Sequence, residues 1–153
     1  NLSANLNSTN STESSSKFQM TGLKHFWSFD HHKKDIITNI DSIGDPGWTV
    51  DRFGRESSAI SIRNHSNSLR IQPGIFFFHE FTITVWFKIY ECGHFPRLVD
   101  FGNGEAVDNI AIAYSSHKDC VLETYLFNFT IFSFIFRLPE KYKFEFNKWY
   151  YLA

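Results

Sequence analysis

One predicted strand has two chemically different faces, and one of these faces could bind a ligand. In residues 81–89, which read FTITVWFKI, apolar and mostly polar side chains alternate, as is typical of a half-buried β-strand. The second set consists of Thr82, Thr84, Trp86 and Lys88. An indole can stack on a sugar ring, and threonine hydroxyls can hydrogen-bond to it. We expect these four residues to form a ligand-binding surface. The alternative is that Trp86 packs under a loop or against a second sheet.

Oxygen-bearing side chains bracket a predicted hairpin farther along the chain. Asp100, Asn103, Asp108 and Asn109 lie around a Gly-Asn-Gly turn, and Ca²⁺ prefers several carboxylate, amide and carbonyl oxygens as ligands. These residues are the candidate calcium site, and calcium is the candidate cofactor. The alternative is that Asp and Asn beside glycine form an ordinary turn by bonding to their own backbone.

Asp51, in the sequence Asp-Arg-Phe-Gly, is interpreted as a turn residue. Acids at such positions commonly hydrogen-bond to the backbone of the turn they begin. We expect the carboxylate to pair with Arg52 or Arg55 rather than to bind a ligand.

The sequence does not predict catalysis. Asp100-Phe101-Gly102 spells the magnesium-binding triplet of protein kinases, but the sequence has neither the glycine-rich loop nor the catalytic loop that accompanies it. The seven histidines are dispersed, and only His31 and His32 are adjacent. Because neighbouring side chains point apart in most backbones, we do not expect these two to share a metal. We predict that the chain is not an enzyme.

Cysteines and Asn-x-Ser/Thr sequons point to an extracellular or cell-surface ectodomain. Cys92 and Cys120 are expected to form one disulfide, which would stabilise the fold by about 3 kcal/mol; two free thiols are the alternative. Five sequons are candidate glycosylation sites, at Asn1, Asn7, Asn10, Asn64 and Asn128. Three of them lie in the first 12 residues, where Asn, Ser and Thr dominate, so a polar tail without sugar is the alternative.

Short strands separated by turn signals are predicted after the N-terminal tail. The chain contains 18 Phe, 6 Tyr and 4 Trp, and aromatic residues favour strands. Besides 81–89, the predicted strands are 25–29, 58–62, 68–72, 97–101, 108–114, 143–146 and 149–153. The strands 97–101 and 108–114 are expected to form a hairpin. In residues 121–136 the alternation breaks near Phe132 and Phe134, which predicts a bulge or two consecutive strands. The fold class is all-β, as an antiparallel sandwich.

The chain divides by composition at about residue 22. Residues 1–22 are expected to be a disordered Ser/Thr/Asn-rich stalk or linker, because they contain too little apolar surface to fold. Residues 23–153 are expected to form one sandwich domain that is incomplete at its C-terminal end, since the last residues read as the start of a strand. The most apolar stretch, 126–136, is too short to span a membrane, which needs about 20 residues. A net charge of −1 with scattered basic residues does not predict a nucleic-acid partner.

Five segments, in this order along the chain, resemble the concanavalin A-like lectin/glucanase superfamily, and more narrowly its laminin-G-like (pentraxin-like) modules. They are HFWSFD, DRFGRESSAISI, FTITVWFK, FPRLVDFGNGEAVDNIAIA and KWYYLA. The resemblance covers about residues 24–153, and its most specific part is RLVDFGNG followed by DNI. It implies a jelly roll of two antiparallel sheets, and in some relatives calcium at the rim.

The glucanase branch of that superfamily carries its catalytic carboxylates as E-x-D-x-x-E, because retaining cleavage needs two carboxyl groups about 5 Å apart. Glu140 and Glu145 are the closest match in this sequence, and their odd spacing would place them on opposite faces of a strand. The leading prediction is therefore an extracellular, non-catalytic module that binds a glycan or a glycoprotein. The first alternative is a protein-binding adhesion or structural domain without a sugar site. The second is a glycosidase-related domain.

Overall fold

The computed structural model describes residues 22–63, 67–74, 76, 80–92, 96–103, 108–114, 120–127 and 133–153. Apart from one 3-10 helix at Glu140–Tyr142, every regular element in these ranges is a short strand. All of the strand pairs are antiparallel. The all-β antiparallel class is therefore confirmed, while the sandwich stays a prediction. The chain divides into two compact units, with the boundary between residues 76 and 77.

The first unit contains two small antiparallel ribbons. Its strands are β1 (Lys34–Asp35), β2 (Ile40–Asp41), β3 (Gly47–Thr49) and β4 (Ala59–Ser61). The first ribbon pairs β1 with β2, and the second pairs β3 with β4. Two isolated bridges, from Trp27 to Asp35 and from Ile43 to Arg70, connect the flanking segments to this framework.

Sequence-based prediction is only partly correct in the first unit. The strand predicted at 58–62 is confirmed as β4. The strands predicted at 25–29 and 68–72 are wrong, because each contributes a single bridge rather than a ladder. The β1–β2 hairpin lies in a segment for which no strand was predicted.

The second unit contains one two-stranded and one four-stranded sheet. Its strands are β5 (Val85–Lys88), β6 (Arg97–Phe101), β7 (Ile110–Tyr114), β8 (Leu122–Phe127), β9 (Ser133–Arg137) and β10 (Trp149–Leu152). The larger sheet is a meander in the order β6-β7-β8-β9, and β5 pairs with β10. A register shift between Arg97 and Val99 interrupts the β6–β7 ladder.

The core of the second unit forms around the apolar face of β5. Phe87, Ile89 and Cys120 are buried together. The ring of Phe87 meets Phe144 edge-on, with centroids 5.1 Å apart, and stacks on Tyr150 at 5.8 Å. Because Phe87 faces this core, the alternating residues of β5 face away from it.

Most strand predictions in the second unit are confirmed. The strand predicted at 81–89 is confirmed only at Val85–Lys88, where Phe87 is buried and Trp86 is exposed as expected. The 97–101 and 108–114 segments form the predicted hairpin. Residues 121–136 contain two strands, β8 and β9. The strand predicted at 143–146 is wrong. Its amide groups have separate acceptors, because Phe144 N–H donates to the Cys120 carbonyl and Glu145 N–H to the Tyr150 hydroxyl.

Candidate functional site

The register between β5 and β10 assembles a surface that neither strand has alone. Tyr151 lies opposite Trp86, and Trp149 lies opposite Lys88. Residues directly opposite one another in an antiparallel pair share a face of the sheet. The ring of Tyr90 also contacts the Lys88 ammonium. The surface called the aromatic face below consists of these five side chains: Trp86, Lys88, Tyr90, Trp149 and Tyr151.

Two exposed rings form one end of the aromatic face. The side chain of Trp86 is 44% exposed and that of Tyr151 is 55% exposed. Their ring centroids lie 5.2 Å apart, with an angle of 41° between the ring planes. This spacing is within the range of favourable aromatic pairs, so each ring limits the movement of its neighbour while part of its surface stays open to solvent.

Lys88 lies next to these rings and is itself held by aromatic side chains. Its Nζ atom is 5.1 Å from the ring centroid of Trp149 and 5.2 Å from that of Tyr90, which are cation–π distances. Among the side chains that the structure describes, no carboxylate forms an ion pair with Lys88. The aromatic face therefore presents a positive charge that the described acids do not neutralise.

The two threonines predicted to belong to this surface precede β5. Thr82 and Thr84 are both exposed, but they lie in the segment that leads into the strand rather than in the ladder. Tyr151 and Trp149 were not predicted to belong to this surface, because only the strand register reveals that they lie opposite Trp86 and Lys88.

The candidate calcium residues lie where the chain passes from β6 to β7, and they form two hydrogen-bonded pairs. Asn103 Nδ2 donates to Asp108 at 3.4 Å, and Asn109 Nδ2 donates to Asp100 at 3.2 Å. Asp100 also forms an ion pair with Arg97. In the described residues no group of three or more His, Cys, Asp or Glu side chains is arranged to hold a metal ion. Calcium binding stays a prediction.

The predicted disulfide joins Cys92 and Cys120, with the two Cα atoms 5.7 Å apart. Cys120 is almost fully buried in the core of the second unit, and Cys92 packs against that core. A disulfide of this kind indicates an oxidising environment. None of the described residues belongs to a helix that is long and apolar enough to span a membrane.

A buried carboxylate that the sequence analysis missed organises the first unit. Asp35 is 2% exposed, and its Oδ1 atom accepts the amide N–H groups of Phe26 at 2.9 Å and Ile37 at 3.0 Å. Its Oδ2 atom accepts the Thr38 hydroxyl and contacts His25 Nδ1, each at 2.7 Å. Burial alone would raise the pKa of Asp35, but these hydrogen bonds outweigh burial and lower the pKa to about 2.

The His25–Asp35 pair has the geometry of a carboxylate that orients an imidazole, as in hydrolytic triads. No hydroxyl or thiol of a described residue hydrogen-bonds to His25. The imidazole instead stacks on Trp27, with centroids 5.6 Å apart, and contacts the ring of Phe76 at 4.7 Å. We interpret the pair as a structural contact that fixes the start of the first unit to the β1–β2 hairpin.

Asp51 adopts the turn role expected for it. Its Oδ1 atom accepts the amide N–H groups of Phe53 at 2.8 Å and Arg55 at 2.9 Å, and its Oδ2 atom receives the Arg55 guanidinium at 2.8 Å. Burial opposes ionisation, but the hydrogen bonds from Arg55 and Phe53 hold the pKa of Asp51 below its usual value. The predicted pairing with Arg55 is confirmed.

The first unit also contains a shallow cleft of about 280 Å³. Its walls combine basic, acidic and aromatic side chains, from His31, His32, Lys33, Asp41, Asp45, Pro46 and Trp48. The ammonium group of Lys33 bonds to the Gly44 carbonyl, so this charge is already engaged. We assign no function to this cleft.

The five predicted glycosylation sites, at Asn1, Asn7, Asn10, Asn64 and Asn128, all lie outside the described residues. The predicted stalk at residues 1–22 lies outside them as well, except for Gly22.

No protein-family model, curated protein or solved structure matches this chain. The resemblance to laminin-G-like modules therefore stays a prediction that rests on the five segments named above. Function has to be argued from the chemistry of the aromatic face and from the disulfide.

Proposed function

We propose that this chain is an extracellular, non-catalytic binding module that recognises a glycan or a glycoprotein through its aromatic face. The observation that carries the proposal is the exposed Trp86–Tyr151 pair beside Lys88. Aromatic rings offer an apolar surface to the C–H groups of a sugar, and polar groups at the edge fix its orientation. The hydroxyl groups of Thr82 and Thr84 are suitable partners for the sugar hydroxyls.

The disulfide supports the location, because such bonds persist in oxidising compartments. The sequons support it as well, since N-linked glycans are added in the secretory pathway. The finer architecture belongs to the same proposal: the antiparallel sheets are expected to pack as a jelly-roll sandwich, in keeping with the laminin-G-like resemblance.

A glycan array probed with the wild-type chain and with Trp86→Ala tests the proposal. We expect the variant to lose about fivefold in affinity, because stacking on an exposed indole is worth on the order of 1 kcal/mol and 1.4 kcal/mol corresponds to tenfold. Trp48→Ala is the matched control, because Trp48 is 40% exposed and belongs to the first unit. Circular dichroism checks that both variants fold. The absence of any glycan binding, or equal binding by Trp86→Ala, would contradict the proposal.

A second candidate function, protein adhesion without a sugar site, is favoured by a different surface. Strand β9 is at the edge of its sheet, and its Phe134, Ile135 and Phe136 side chains are 61%, 54% and 49% exposed. An edge strand with exposed apolar side chains is a template for pairing with another chain. Binding of an extracellular protein that is lost in Ile135→Lys but unchanged in Trp86→Ala would favour this function.

A further inference from the structure

Two ring contacts restrict the ammonium group of Lys88 to one position on the aromatic face. Trp149 and Tyr90 each hold the Nζ atom at cation–π distance, and their rings also remove part of its water shell. Lysine side chains on protein surfaces ordinarily lose entropy when an ion pair forms. Because Lys88 is already confined by two rings, less of that loss remains when an anion binds.

Lys148 in the same unit differs from Lys88 in having a carboxylate partner. It bonds to Glu145 at 2.6 Å. No such partner of Lys88 occurs in the described ranges. An anion that approached Lys88 would therefore not need to displace an acidic side chain of the described residues.

The strand geometry sets the distance between this charge and the stacking surface. Lys88 and Trp86 are two positions apart on β5, and side chains at this spacing on one face are separated by about 6.5 Å. This length is comparable with the width of one sugar ring together with a substituent. A ring stacked on Trp86 would thus bring an attached acidic group to the Lys88 ammonium.

We propose that the aromatic face selects acidic saccharides, in which a carboxylate or sulfate group binds Lys88 while the sugar ring stacks on Trp86. This inference rests on the proposed function and adds the substrate class to it. The proposal is supported by the charge complementarity between the Lys88 ammonium and the acidic group of the saccharide. A neutral sugar would stack on the aromatic rings but would bring no anionic group to the Lys88 ammonium.

Binding of lactose, 3′-sialyllactose and 3′-sulfolactose to the wild-type chain tests the inference, because the three probes share one neutral parent. Isothermal calorimetry or NMR titration at low and high salt is suitable. We expect at least one acidic derivative to bind roughly fivefold to tenfold more tightly than lactose, and this preference to shrink as salt screens the charge. Lys88→Gln should abolish the preference, and Lys88→Arg should retain it, because arginine keeps both the charge and the cation–π contacts. Lys148→Gln is the matched control and should leave it unchanged.

The outcomes separate this inference from the proposed function. If lactose binds as tightly as its acidic derivatives and binding still depends on Trp86, the acidic class is wrong and glycan recognition stands. If none of the three probes binds and a broad glycan array is also negative, both proposals are wrong. If polyglutamate competes as well as the acidic sugars and Trp86→Ala has no effect, the surface is a site for acidic protein and the inference is overturned.

Discussion

Replacing Asp35 with alanine should destabilise the first unit strongly, because four donors converge on this one buried carboxylate. The amide groups of Phe26 and Ile37 would lose their acceptor, and an unsatisfied buried donor costs about 1–3 kcal/mol. The side chains of His25 and Thr38 can turn toward water instead. Two such donors give about 2–6 kcal/mol, and because both hydrogen bonds are only partly buried, we expect the free energy of unfolding to fall by an amount in the lower part of this range, about 2–4 kcal/mol.

The charge of Asp35 adds a pH dependence whose direction follows from its pKa. The native pKa is about 2, below the value of about 3.9 for an unfolded aspartate. Between these values the unfolded state binds more protons, so the stabilisation is fully present above about pH 4 and disappears as the pH falls toward 2. This stabilisation amounts to at most about 2–3 kcal/mol, and to less after solvent screening. Asp35→Asn keeps an acceptor for both amides but should lose this part of the acid transition.

Urea unfolding at pH 7 and at pH 3 measures both effects, and amide hydrogen exchange at Phe26 and Ile37 reports directly on the two affected donors. Asp41→Asn is the matched control, since Asp41 belongs to the same hairpin but has a side chain that is 68% exposed. Its stability should change by no more than about 0.5 kcal/mol. Unfolding of Asp35→Ala at the same urea concentration as the wild type, or an equal loss of stability in the control, would contradict this role of Asp35.

Three further substitutions test the second unit. Because the disulfide joins cysteines 28 positions apart, replacing Cys92 and Cys120 with serine should cost about 3–4 kcal/mol in urea unfolding; an unchanged midpoint would show that the bond contributes little. Phe87→Ala removes a buried ring that contacts Phe144 and Tyr150 and should cost about 3–5 kcal/mol, whereas a loss below 1 kcal/mol would contradict the core assignment. Ile135→Lys on exposed β9 should reduce self-association in sedimentation at high concentration and leave unfolding nearly unchanged; association that is equal in both proteins would exclude this edge as its cause.

Where the pattern is local, the sequence predicted the strands well. The alternation of apolar and polar residues through Val85–Lys88 is visible without any partner strand, and the structure buries Phe87 and exposes Trp86 accordingly. The glycines between β6 and β7 likewise mark their hairpin. Both signals lie within a few residues of the element they specify, so neither depends on distant parts of the chain.

The hairpin of β1 and β2 shows why the remainder could not be predicted. Its polar sequence lacks any period of two, and Asp35 reads there as an ordinary surface acid. Its amide partner Phe26 and its imidazole partner His25 lie nine and ten residues earlier in the chain. A buried carboxylate with distant donors has the same local sequence as an exposed one. By contrast, Asp51 bonds to residues two and four positions later, and its role could be predicted.

The same distinction explains why only two of the five residues of the aromatic face were predicted. Trp86 and Lys88 follow from the alternation of β5, whereas Tyr151 and Trp149 follow only from its register with β10. In the sequence WYYL, Tyr150 and Tyr151 look equivalent, yet Tyr150 stacks on Phe87 in the core and Tyr151 meets Trp86 on the opposite face. A shift by one residue would exchange them. The core contacts of Tyr150 therefore hold Tyr151 beside Trp86, so a substitution that loosens this core should weaken the proposed glycan binding, measured on the same glycan array, without changing a residue of the aromatic face.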